Sequence, residues 1–274
     1  MYSAIEHLAR IACVSNWSQV PTAMLTTAFD ISNDEKTHKF LVLAGFISDA
    51  DRWSEFDVKW RARLAEDGLT YFHMHPFAHS IGIFDGWKEQ EDRRRNLMGD
   101  LLLLIREHAY CKFGIVVQSH SAAVMFPDHP KYKHKMLQVA VSGIVASVES
   151  WRARNRYQNP ARYVFEYGDP GKGVIRKTVD RILHREPAFE HKKDNLTENI
   201  VAFTPLQAAD LFCFEVKKVF ENDRTKLRPG ARFRVPYEVL NKMNEDAIVF
   251  NDASASDFGP FLEIDRYFNK NPLG

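Results

Sequence analysis

Residues 24–48, "MLTTAFDISNDEKTHKFLVLAGFIS", decide how the rest of the chain is read. In the first seven, Met24, Thr26, Ala28 and Asp30 fall on one face of an extended segment, so the spacing predicts a strand ending at Asp30. "ISNDEKTH" is turn chemistry, and "KFLVLAGFIS" is an apolar, β-branched run ending near Ser48 that can fold back as a hairpin. The chain therefore opens on paired strands, with a carboxylate at the end of a buried one.

Further along, "DADRWSEFDVKWRARLAED" carries Asp49 as a cap and Trp53, Phe56, Trp60 and Leu64 at helical spacing, with Gly68 as the stop. "LTYFHMHPF" reads as a strand leading to a loop through "SIGIFDGW", and "KEQEDRRRNLMGDLLLLIREHA" as a helix. "CKFGIVVQ" is a strand. A long helix follows from about Lys131 to Arg156, whose Ala140, Ser142, Gly143 and Ala146 allow close packing. "ARYVFEYGD" is a strand, Val174 to Leu183 a helix, and "NIVAF" another strand. "TPLQAADLFCFEVKKVF", Thr204 to Phe220, is a helix with Thr204 as cap and Pro205 at its first position. Leu206, Ala209, Cys213, Val216 and Phe220 form its apolar stripe.

Strands alternating with helices predict an α/β fold, a mixed sheet flanked by helices. No repeat or linker interrupts it. The expectation is one domain with its core over about 24–220 and a less regular extension over 221–274, including helices at "PYEVLNKMNEDA" and "FLEIDRYF".

With 45% hydrophobic and 27% charged residues and a net charge of +1, the 274-residue chain is globular material without strong global steering. That charge neither demands nor excludes a nucleic-acid partner. Cys13, Cys111 and Cys213 are too scattered for a disulfide framework or a zinc site, and no apolar run reaches membrane length. These features point to a cytoplasmic protein without membrane partners; oligomeric state leaves no trace in them. No G-x-S-x-G elbow supports a serine hydrolase, and "GDPGKG" lacks the Walker spacing.

Three segments place carboxylates where packing disfavours them. Asp30 ends a strand, Glu166 lies inside "ARYVFEYGD" with Asp169 just beyond, and Asp210 sits on the flank of the Thr204–Phe220 stripe. A charge there needs a cation, hydrogen bonds or water. Convergence would create a site for Mg²⁺ or Mn²⁺, which favour oxygen ligands and promote phosphodiester hydrolysis. Lys172 would stand near a substrate phosphate, and Gln207, one turn before Asp210, would orient a carboxylate or water. His73, His75 and His79 crowd one short stretch, where a single histidine beside the acids is explanation enough. "KLRPGARFRVP" mixes Lys226, Arg228, Arg232 and Arg234 with Phe233, in a pattern able to grip a nucleic-acid backbone or to form an exposed loop.

The order of "AFDIS", "FLVLAGFIS", "YFHM", "YVFEYGD" with "PGKG", and "TPLQAADLFCFE" resembles the bacterial domain-of-unknown-function family numbered 3800, from about Met24 to Phe220. The resemblance implies a ribonuclease H-like fold, with acids on the first and fourth strands and on a late helix. It places the family's acidic positions on Asp30, Glu166 and Asp210, with Gln207 and His73 as companions, and implies a divalent-metal nuclease. At "DISN", Ile31 and Asn33 stand where the family often has an acid and a glycine. That departure keeps open a second reading, a non-catalytic module that binds nucleic acid or protein through a degenerate acidic site.

Overall fold

The computed structural model describes residues 24–33, 40–118, 132–223, 235–242 and 249–250. Strands β1 (Leu25–Asn33) and β2 (Phe40–Asp49) pair antiparallel along their length, with Asp30 opposite Ala44. Gly45 is what lets them lie so close. A Cβ there would stand 1.9 Å from the Ala28 carbonyl oxygen and 2.7 Å from the Phe29 ring, so any larger residue would push the strands apart.

Helix α1 (Ala50–Glu66) starts where β2 ends. Asp49 caps it by accepting from the Arg52 N–H at 2.8 Å, and Trp53, Phe56, Trp60 and Leu64 are buried as their spacing predicts. After α2 (Met74–His79) and α3 (Glu91–His108), strand β3 (Cys111–Gln118) pairs antiparallel with β2. Helix α4 (Tyr132–Arg154) leads to β4 (Val164–Glu166), parallel to β1 through Phe29 and Phe165. Helix α5 (Lys172–Leu183) leads to β5 (Ala188–Glu190), parallel to β4. Helices α6 (Pro205–Asp223) and α7 (Val235–Asn241) and strand β6 (Val249–Phe250) follow. Among the described residues the sheet order is β5-β4-β1-β2-β3-β6.

Helices cover both faces of this mixed sheet, which is the predicted fold class. On one face α6 packs over β1 and β2, and Phe212 meets Phe46 at 5.2 Å between ring centroids. Trp53, Phe56 and Trp60 of α1 extend that core. On the other face α4 and α5 cover Leu41, Leu43, Phe113 and Phe165. Each face buries apolar area that stabilises the sheet by about 25 cal/mol per Å². Since both sides are covered, Leu25, Phe29 and Ala28 are all fully buried although they point to opposite faces.

Three expectations are corrected. β1 continues three residues past Asp30, so the carboxylate sits within the ladder rather than at its end. "LTYFHMHPF" is not a strand: its backbone donors are taken by side chains of α6, Phe72 N–H by Gln207 Oε1 and Met74 N–H by Asp210 Oδ2, and Met74–His79 coils into a short helix that accommodates Pro76 in its first turn. "NIVAF" forms only an isolated bridge between Asn195 and Ile200, and the fifth strand is instead Ala188–Glu190. The turn at 34–39, Cys13, the basic cluster Lys226, Arg228, Arg232, Phe233 and Arg234, the "FLEIDRYF" segment and the Phe220 side chain lie outside the described residues.

Candidate active site

Four side chains meet at the carboxyl end of the parallel strands β4 and β5, beside β1. The sheet supplies Asp30 from β1 and Glu166 from the last position of β4, and α6 supplies Asp210 from its second turn. The fourth group is Lys192, two residues after β5. Its Nζ lies 2.9 Å from Asp30 Oδ1, 2.8 Å from Glu166 Oε2 and 3.4 Å from Asp210 Oδ1. Three carboxylates thus surround one ammonium. The side chains of Asp30, Asp210 and Lys192 are 8%, 9% and 11% exposed, against 34% for Glu166, so the cluster is buried with one open side.

Burial and mutual repulsion set the charge states. Burial pushes the Asp30 carboxyl up from its ordinary 3.8 to about 7; the Lys192 ammonium opposes that rise, and the charges of Asp210 and Glu166 add to it. For Asp210, burial pulls upward too, but the His73 hydrogen bond, the Lys192 charge and the Met74 N–H outweigh it and hold the carboxyl below its usual value. Burial works against the Lys192 ammonium, yet the three carboxylates win and raise its pKa.

The helix face around Asp210 is organised for this cluster. Met74 N–H donates to Asp210 Oδ2 at 2.6 Å, and His73 Nε2 lies 3.3 Å from Oδ1. Gln207, one turn earlier, is buried. Its Oε1 accepts from Trp60 Nε1–H and from Phe72 N–H, each at 2.8 Å, and its Nε2 donates to the Lys192 carbonyl at 2.7 Å. Gln207 therefore fixes the backbone that carries the lysine, where the sequence suggested a direct hold on a carboxylate. That α6 turns a polar edge inward here while Leu206, Ala209 and Cys213 stay in the core explains the misplaced charge in its pattern.

The cluster forms the floor of an open cavity of about 840 Å³, walled by His73, His75 and His79 of the α2 region and by Phe214, Lys217 and Lys218 of α6. Acid lies at the bottom; the rim carries basic groups together with Glu221, which pairs with Lys218 at 2.7 Å. Two sequence candidates sit apart from the four. Asp169 Oδ1 accepts from the Gly171 N–H at 2.5 Å, closing the turn into α5, and it makes no ion pair with Lys192. The Lys172 ammonium stacks over Tyr167 at 3.7 Å and Phe189 at 4.8 Å from the ring centroids.

Lys192 was not singled out by the sequence. It lies in "AFEHKKDN", after a strand of only three residues that carries no alternation to betray it. The signal was positional: residues just past the carboxyl ends of parallel strands line ligand crevices in open α/β sheets.

Among the described residues, no three His, Cys, Asp or Glu side chains are set around an ion as they stand. The ammonium explains the spacing, since N–O contacts near 3 Å hold the oxygens wider than the roughly 2.1 Å that Mg²⁺ requires. In donor chemistry the cluster does suit a divalent ion: three hard carboxylates face a position already taken by a cation.

The hairpin start, the acids on the first and fourth strands and the late acidic helix form the arrangement expected from the sequence, on a mixed sheet flanked by helices. No family model matches the chain, and no curated protein matches it. Among solved structures it is similar to the complex of PCNA with RNase HII from Archaeoglobus fulgidus, at 14% identity and a TM-score of 0.40, over 86% of this chain and all of that one. Among the described residues, no helix is long and apolar enough to cross a membrane.

Proposed function

We propose that the chain is a divalent-metal-dependent phosphodiesterase acting on nucleic acid, a member of the family numbered 3800 that its sequence resembles, with Asp30, Glu166 and Asp210 as the acidic set that holds Mg²⁺ or Mn²⁺. One observation carries this reading: three carboxylates from two strands and a helix lie within 3.4 Å of a single point that a cation occupies. Isolated charges are not gathered and buried in this way unless a positive ligand compensates them. The ion, when bound, supplies an activated water and stabilises the leaving oxygen.

The chain's residues supply position and charge. His73 and the Met74 N–H keep Asp210 ionised and aimed at the cluster, while Gln207 holds the Lys192 backbone against it. Lys217 and His75 at the rim face an incoming phosphate backbone, while the Lys218 ammonium is paired with Glu221. Asp169 and Lys172, engaged in the turn and on the aromatic rings, enter this proposal only as neighbours of Glu166.

The rival reading, a binding module without catalysis, draws on the same lysine, because an ammonium that permanently satisfies the carboxylates makes a scaffold. Incubation with single-stranded and duplex DNA and RNA and with RNA–DNA hybrids, in Mg²⁺ or Mn²⁺, separates them. Cleavage that Asp210→Asn lowers by orders of magnitude, with folding retained, supports the nuclease. Equal trace activity in both proteins on every substrate gives the lead to the binding module.

A further inference from the structure

We infer that the site takes one divalent ion rather than two, because the Lys192 ammonium stands in the place of the second cation; this rests on the metal-dependent reading above. The charge count comes first. Ionised Asp30, Glu166 and Asp210 carry three negative charges, and Lys192 returns one positive charge among them. One divalent ion brings the cluster to neutrality. A second would leave two positive charges uncompensated in a largely buried site, which is costly.

The oxygens are divided in the same sense. Asp210 is committed: Oδ1 faces Lys192 and His73, and Oδ2 accepts from the Met74 N–H. On Asp30 the lysine takes Oδ1 and on Glu166 it takes Oε2. Among the described residues, Asp30 Oδ2 and Glu166 Oε1 accept no hydrogen bond, so two carboxylate oxygens remain to ligate an ion while Lys192 stays where it is, and Asp210 contributes its charge to the set rather than an oxygen. Mg²⁺ is commonly held by one or two carboxylates, with water and substrate phosphate completing its shell.

The lysine is also fastened. Its carbonyl accepts from Gln207 Nε2 at 2.7 Å, and its ammonium makes three charge-assisted contacts with only 11% of the side chain exposed. Leaving would break all three and strand the carboxylates. Lys192 is thus a positioning residue: it keeps Asp210 and Asp30 together and leaves the Glu166 side open for the ion.

Isothermal titration of Mn²⁺ into the full chain and into Lys192→Ala reads this directly. Wild type is expected to bind one ion, and the variant to gain a second. Two ions in wild type would overturn the inference, as would a variant that stays at one ion with unchanged affinity; both outcomes leave the metal-dependent reading standing. No binding in either protein would remove that reading itself and the inference with it. A second measurement needs no variant: reductive methylation of wild type with and without Mn²⁺, followed by peptide mass spectrometry, compares Lys192 with exposed Lys177. Lys192 should remain the slower in both conditions, and its unmasking by Mn²⁺ would show that the ion displaces it and would overturn the inference.

Discussion

Replacing Gln207 by Leu removes the amide that ties α6 to α1, to the strand-like segment before α2 and to Lys192, with little change in volume. Two donors lose their acceptor in the core: the Trp60 indole N–H and the Phe72 backbone N–H, whose residues are 0% and 1% exposed. A buried polar group left without a partner costs about 1–3 kcal/mol, so the two together cost about 2–6 kcal/mol. The Lys192 carbonyl also loses its donor, but beside the open cavity water can replace it. Against a typical domain stability of about 5–15 kcal/mol, that loss is large enough to shift the urea midpoint clearly with an unchanged slope. The assay is equilibrium urea unfolding followed by tryptophan fluorescence, which also reports on Trp60. A loss below about 1 kcal/mol would mean that these hydrogen bonds do not anchor the site, and the account of how Lys192 is held would fail.

Gly45→Ala should cost several kcal/mol or abolish soluble expression, because its Cβ would meet backbone rather than a flexible side-chain end; a melting temperature close to wild type would contradict the β1–β2 packing. Asp30 should make the metal-free protein less stable as pH rises. Its folded pKa of about 7 lies above its ordinary 3.8, so its contribution is full below about pH 4 and is lost as pH climbs through 7. Within that window Asp210, held low, and Lys192, held high, do not titrate in the folded state. Asp30→Asn should flatten the profile, and melts at pH 5 and pH 8 that show the same slope in both proteins would count against it. Lys172→Ala should cost only about 0.5–1 kcal/mol, the worth of a half-buried ammonium over aromatic rings open to solvent on one side, so a loss of 3 kcal/mol in urea unfolding would show an anchoring role the contacts do not suggest.

Much of the architecture could be read from local pattern. The hairpin announced itself through β-branched runs around turn residues, and α1 and α6 through spacing that places Trp53, Phe56 and Trp60 or Leu206, Ala209 and Cys213 on one face. Asp30, Glu166 and Asp210 stood out because each interrupts an apolar pattern, and the topology brings them together. What stayed hidden was set by tertiary contact. The segment before α2 has strand-like composition, but Gln207 and Asp210 take its backbone donors before a neighbouring strand can. Three-residue β5 exists by pairing with β4 and has no periodicity of its own. Lys192 inherits that obscurity, since its meaning depends on where β5 ends.

Everything proposed for the cavity depends on Asp30, Glu166 and Asp210 forming the acidic set of a divalent-ion site. Anomalous diffraction from crystals grown with Mn²⁺ decides whether they do. A manganese peak is expected within about 2.0–2.3 Å of carboxylate oxygens of Asp30 and Glu166, with the Lys192 ammonium still against Asp210. A well-ordered cluster in saturating Mn²⁺ that shows no peak, with Lys192 spanning all three carboxylates, would contradict it.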